Sequence, residues 1–110
     1  MELHLVHYKA KHGSLGDAVK AGGQDALAVL GIFFEIQQDD NKHIEKLIEA
    51  VKEVKENGDE TEMKQMPLKD FLPRNTDQFY RYQGGLTTPT CNEIVVWTVF
   101  KVWAKIIKLR

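Results

Sequence analysis

Four histidines, a Thr-Thr-Pro loop and one thiol are the side chains whose types and spacing could carry chemistry in this chain. His4 and His7 are three apart, which places both on one face of a helix but on opposite faces of a strand. Glu2-Leu3-His4-Leu5-Val6-His7-Tyr8 reads at a period of two as a short strand, so the two rings are not expected to share a metal. Two readings of His4 then stand side by side. A lone histidine on a mostly apolar strand face is a core residue bonded to a backbone carbonyl, or a zinc ligand whose other two protein ligands come from another strand. In the second reading Glu2, which points the same way as His4 and Val6, is the nearby carboxylate that fixes the ring tautomer. His12 and His43 sit in polar surroundings and read as solvated.

Leu86-Thr87-Thr88-Pro89 places two hydroxyls beside a proline that stiffens the backbone. A hydroxyl held rigidly can accept from a metal-bound hydroxide and orient its lone pair, and a plain turn has the same composition. The Val, Leu and Trp residues around it read either as ordinary core or as the apolar wall of a small-molecule pocket. Cys91 is the single cysteine, so it forms no internal disulfide. It is a reduced thiol, with no adjacent basic cluster to lower its pKa, or half of a bridge whose other half lies elsewhere.

A few elements must position these groups. Leu27 to Ile36, rich in β-branched and aromatic residues, has the length of a strand buried on both faces, and Gly31 inside it signals a bulge or a close backbone approach. From Asn41 to Glu56, Ile44, Leu47, Ile48, Val51 and Val54 recur at three- and four-residue spacing, the pattern of an amphipathic helix. Asp39, Asp40 and Asn41 are candidate N-caps and Asn57-Gly58 a candidate left-handed C-cap. Lys9 to Gly16 reads as a loop, and only a turn or short helical piece fits between Pro67 and Pro73. Ile94 to Phe100 is a strand with Val95, Trp97 and Val99 on one face, preceded by a loop from Gly84. Val102 to Arg110 fits a short helix or a strand equally well.

The whole is one ordinary domain of 110 residues, 43% hydrophobic and 28% charged. With 15 basic against 16 acidic side chains and a pI near 6.4, no electrostatic footprint for nucleic acid is present. The longest apolar run, Ala26 to Phe34, is too short to span a membrane. The first thirteen residues lack the basic start and apolar core of a secretory signal, which taken alone would leave the chain in the cytosol.

Four blocks in register carry a resemblance. Glu2-Leu3-His4-Leu5-Val6-His7-Tyr8, Leu27-Ala28-Val29-Leu30-Gly31, Tyr82-Gln83-Gly84-Gly85-Leu86-Thr87-Thr88-Pro89 and Val95-Val96-Trp97 resemble, in order and spacing, the C-terminal part of the alpha carbonic anhydrases. The match covers residues 1 to about 101, and 102–110 read as a divergent tail. The Thr-Pro-Thr-Cys-Asn-Glu and Val-Val-Trp-Thr-Val-Phe runs are most similar to the extracellular, lipid-anchored vertebrate members.

The resemblance implies a mixed, mainly β fold with one amphipathic helix, a fragment of a large, twisted, mostly antiparallel sheet. It implies that His4 is a ligand of Zn²⁺ and Glu2 the partner behind it. Thr87 would accept from zinc-bound hydroxide, Thr88 would lie beside it, and Val6, Val29, Leu86, Val95 and Trp97 would hold carbon dioxide. In that family three histidines bind the zinc, whose water at a pKa of ~7 becomes the hydroxide that turns carbon dioxide into bicarbonate. The segment with the family's His-x-His pair is missing, as are the glutamate that orients the equivalent of Thr87 and the histidine that often shuttles protons. Gly85 stands where serine is usual and Thr90 where proline is common. Cys91 matches a cysteine that pairs, in extracellular members, with one in the missing N-terminal half. The expectation is therefore a hydratase in the full-length parent and an inactive chain here. The alternatives are a non-catalytic product binding a partner through open sheet edges and exposed apolar faces, and an unstable fragment.

Overall fold

The computed structural model of the protein describes residues 1–38 and 41–107. Its strands are β1 (Glu2–Tyr8), β2 (Leu27–Gln37), β3 (Phe79–Gly84), β4 (Val95–Phe100) and β5 (Ala104–Ile107), and its α-helices are α1 (Leu15–Ala21) and α2 (Glu45–Glu53). The sheet runs β1-β2-β4-β3, with β5 joining β2 beyond the end of β4. β1–β2 and β3–β4 are antiparallel, whereas β2–β4 and β2–β5 are parallel, so this part of the sheet is mixed, and the fold is mainly β as expected. The eleven-residue β2 is the spine. Its apolar alternation lets it serve three neighbours and two faces at once, as expected for a buried strand.

Register decides which side chains share a face. Val6 pairs with Val29, Val29 with Trp97 and Trp97 with Tyr82, while His4 pairs with Gly31, Gly31 with Val99 and Val99 with Tyr80. On this face Leu27, Val29, Val95 and Trp97 join Ala18, Ala26 and Ile94 in one buried cluster. On the other, Ile32, Phe34 and Phe100 form a second cluster with Ile44, Phe71 and Ala104, covered by Leu47 and Ile48 of α2. Each fully buried side chain of this size contributes about 1.5–3 kcal/mol, and Leu27, Ile32, Ile44 and Val95 are the largest of them.

Several expectations are corrected in detail. The Lys9 to Gly16 loop contains a 3-10 turn at Ala10–His12, and α1 begins inside it at Leu15. Ser14 explains the start, because its hydroxyl accepts from the Asp17 amide. The Asn41 to Glu56 helix is a 3-10 turn, Lys42–Ile44, followed by α2, with Asn41 capping the His43 amide. The proposed caps Asp39 and Asp40 lie outside the described residues. Asn57-Gly58 does not cap the helix, which ends at Glu53. The prolines bracket a 3-10 turn, Leu68–Phe71, and the undecided tail forms β5 as far as Ile107. Gly31 is a close approach with no bulge: a Cβ there would meet Val99 Cγ2 at 3.3 Å.

Candidate functional site

His4 and His7 point to opposite faces of β1, as the period of two requires. His4 Nε2 lies 2.5 Å from Glu2 Oε1, a link between neighbours on one face of the strand. With Nε2 carrying the proton toward the carboxylate, Nδ1 is the nitrogen left with a lone pair. Opposite His4 stands Gly31, where an added Cβ would press on Val99 and reach ordinary contact with the Trp97 ring at 3.8 Å. The His4 and Trp97 rings meet edge to face with centroids 4.8 Å apart. His4 is thus tied to a carboxylate and an indole, and the reading of a core histidine on a backbone carbonyl does not hold. His43 is exposed, and His12 is half-buried.

Trp97 links the strand to the Thr-Thr-Pro loop. Its Nε1 donates to the Gly85 carbonyl at 3.1 Å, and Leu86 N donates to Asn92 O at 3.0 Å, closing the loop between β3 and β4 on itself. Leu86 packs on the cluster that contains Val29, Val95 and Trp97. Thr87, Glu2, Gly85 and Trp97 then line an open depression of about 580 Å³, with Phe33, Tyr80, Tyr82 and Val99 completing its wall. Val6 lies on the same sheet face and is 49% exposed.

The structure therefore brings Glu2, His4, Val6, Val29, Leu86, Val95 and Trp97 to one side of the sheet, with Thr87 at the same depression as Glu2. Thr88 separates from Thr87: it is exposed, its carbonyl accepts from Cys91 N at 2.9 Å, and it does not line the depression. Cys91 is an exposed free thiol at φ 60. Tyr80 and Tyr82, which the sequence analysis does not single out as site residues, line the depression from β3. The alternation Phe79-Tyr80-Arg81-Tyr82 was the available signal. Tyr82 stacks on Trp97 with centroids 6.4 Å apart.

A zinc ion is the group this arrangement suggests. One histidine does not fit it: a catalytic zinc site takes three protein ligands, and among the described residues no group of three or more His, Cys, Asp or Glu side chains could hold a metal ion.

Comparison with known proteins bears on the whole chain. The family profile described as eukaryotic-type carbonic anhydrase matches residues 1–109. Human carbonic anhydrase 6 is 36% identical over 107 residues, covering 96% of this chain and 34% of that protein. Mouse carbonic anhydrase 4 is 36% identical over 110 residues, covering 98% of this chain and 34% of that protein. The Caenorhabditis elegans putative carbonic anhydrase 5 is 41% identical over 100 residues, or 89% and 31% of the two chains. The chain spans about a third of the length of these curated relatives. With the profile running through nearly every residue, the chain belongs to the eukaryotic-type carbonic anhydrase family.

Proposed function

We propose that this chain is the C-terminal part of a zinc-dependent carbonic anhydrase, which in its full-length parent interconverts carbon dioxide and bicarbonate, and that the chain alone is inactive. The observation that carries the reading is the Glu2–His4 pair, whose contact leaves Nδ1 free on an imidazole packed against Trp97, while Glu2 and Trp97 line the same depression as Thr87. Zinc, when three protein ligands hold it, supplies an acidified water for this hydration. The chain's own residues have narrower tasks. Glu2 holds the His4 tautomer, Thr87 offers a hydroxyl at the depression, and Val6, Val29, Leu86, Val95 and Trp97 give carbon dioxide a surface that does not compete for it with hydrogen bonds. Two further histidines come from a His-x-His strand of the missing N-terminal half, laid along the open edge of β1. Cys91, exposed, is available to pair with a cysteine of that half. The parent is extracellular and lipid-anchored or secreted; in this chain no described helix is long and apolar enough to cross a membrane.

The test is complementation. The chain mixed with an upstream segment bearing the His-x-His strand should hydrate carbon dioxide in a stopped-flow pH assay, and neither part should do so alone. His4→Ala should abolish the restored activity. Activity that survives His4→Ala would overturn the assignment.

A further inference from the structure

Asn57-Gly58, which does not cap α2, forms the tip of an exposed turn just beyond it. Asp59 N donates to Glu56 O at 3.1 Å across the turn, and Gly58 takes a φ of 97, a left-handed conformation that glycine adopts without steric cost. Asp59 Oδ2 accepts from Lys55 N and Glu56 N, which ties the end of the turn to its start. The space around the tip is open, since a Cβ added at Gly58 would meet nothing within 4 Å. Among the described residues neither the Asn57 side chain nor the Gly58 amide has a hydrogen-bond partner. The other three asparagines differ on both counts. Asn41 Nδ2 donates to Lys105 O and its Oδ1 accepts from His43 N, Asn75 Oδ1 accepts from Asp77 N, and Asn92 Oδ1 accepts from Thr90 Oγ1. Each is followed by a residue with a side chain, Lys42, Thr76 or Glu93.

We propose that Asn57 is a site of spontaneous deamidation, that the Asp59 turn restrains its rate, and that the isoaspartyl product opens that turn. The Gly58 amide nitrogen gives up its proton to hydroxide from solvent and attacks Asn57 Cγ. A C–N bond forms, the carboxamide nitrogen takes a proton from water and leaves as ammonia, and a five-membered succinimide remains. Water then opens the ring. Cleavage of the new C–N bond leaves aspartate at position 57, whereas cleavage of the original peptide bond sends the backbone through Cγ and leaves the α-carboxylate free. Glycine is the residue that least obstructs ring closure, because it brings no Cβ against the attacking nitrogen. Closure also rotates the chain about the Asn57 Cα–C bond, which the Glu56–Asp59 bond and the Asp59 carboxylate both resist. The isoaspartyl chain has one more backbone carbon between Glu56 and Asp59, so these bonds lose their register. Its added negative charge falls among Glu56, Asp59 and Glu60, where like charges repel. Every reacting atom belongs to two adjacent residues, so the reaction needs neither zinc nor activity.

Incubation of the full 110-residue chain at mildly alkaline pH, followed by tryptic mapping, tests this. The peptide from Glu56 to Lys64 contains Asn57 and no other asparagine. It should gain about one mass unit as the amide becomes an acid, and resolve into aspartyl and isoaspartyl forms. Its conversion should be at least about tenfold faster than at Asn41, Asn75 or Asn92, none of which precedes glycine. Asn57→Gln should leave the peptide unchanged, because closure would need a six-membered ring. Asp59→Ala should speed conversion at least about threefold by releasing two amides, and protected amides in β2 check that this variant is folded. In the isoaspartyl chain Lys55 and Glu56 should exchange as fast as they do in Asp59→Ala. Conversion of Asn57 no faster than that of the other three asparagines overturns the site. Conversion unchanged or slower in Asp59→Ala overturns the restraint, and unaltered protection of Lys55 and Glu56 in the isoaspartyl chain overturns the opening of the turn.

Discussion

Gly85 shows how one side chain's absence shapes the site. A Cβ at this position would lie 3.0 Å from the Cys91 carbonyl oxygen and 3.1 Å from that of Asn92. Both are backbone atoms that cannot rotate away, so Gly85→Ser, which restores the residue usual in the resembling family, should shift the loop that carries Leu86 and Thr87. The cost expected for such overpacking is about 1–3 kcal/mol, read as a lower urea midpoint with a change in the emission of Trp97, whose Nε1 is bonded to Gly85 O. An unchanged midpoint would mean the loop relaxes freely. At this scale the sequence was informative where a period applied. The separation of His4 from His7, and the shared face of Glu2, His4 and Val6, followed from alternation alone. Spacing could not tell the adjacent hydroxyls of Thr87 and Thr88 apart, because only the closure of the loop on Asn92 and the Thr88–Cys91 bond decides which one lines the depression.

Elements with a strong stripe were legible and those held by local caps were not. The three- and four-residue spacing of Ile44, Leu47 and Ile48 marks the helix that covers the second cluster, that of Ile32, Phe34 and Phe100. α1 has seven residues, buries only Ala18 and lies among glycines, so it offered no stripe to read. The end of α2 was misplaced for a specific reason: Asp59 Oδ2 accepts from Lys55 N at 3.0 Å and Glu56 N at 2.9 Å, drawing the chain out of the helix before Asn57-Gly58. Those two amides, Glu56 first, lower the Asp59 pKa below its usual 3.8. A carboxyl lowered on folding stabilises this turn fully above the unfolded value of 3.8 and loses that contribution as pH falls through the folded value. Titration of the Glu56 amide shift by NMR should therefore show a midpoint below 3.8, abolished in Asp59→Ala, with faster exchange at Lys55 and Glu56. A midpoint at or above 3.8 would show that the carboxylate does not hold the turn.

The architecture of the whole molecule was the least legible in residues, since apolar alternation says that a strand is half-buried but not which strand lies beside it or in which direction. The parallel pairing of β2 with both β4 and β5 is a property of long-range neighbours, and Ala104–Ile107, in a tail ambiguous by pattern, forms a strand because the end of β2 past β4 needs a partner. The same open sheet limits the chemistry. Among the described residues His4 has no second and third ligand beside it, and a tetrahedral zinc site cannot be closed from one donor and a carboxylate already engaged with it. Calorimetric titration of the chain with Zn²⁺ should accordingly give an affinity no tighter than that of a histidine-containing control peptide. Adding the upstream His-x-His segment should restore tight binding, and His4→Ala should remove it again. Nanomolar affinity in the unmixed chain would show that three ligands are already assembled within it.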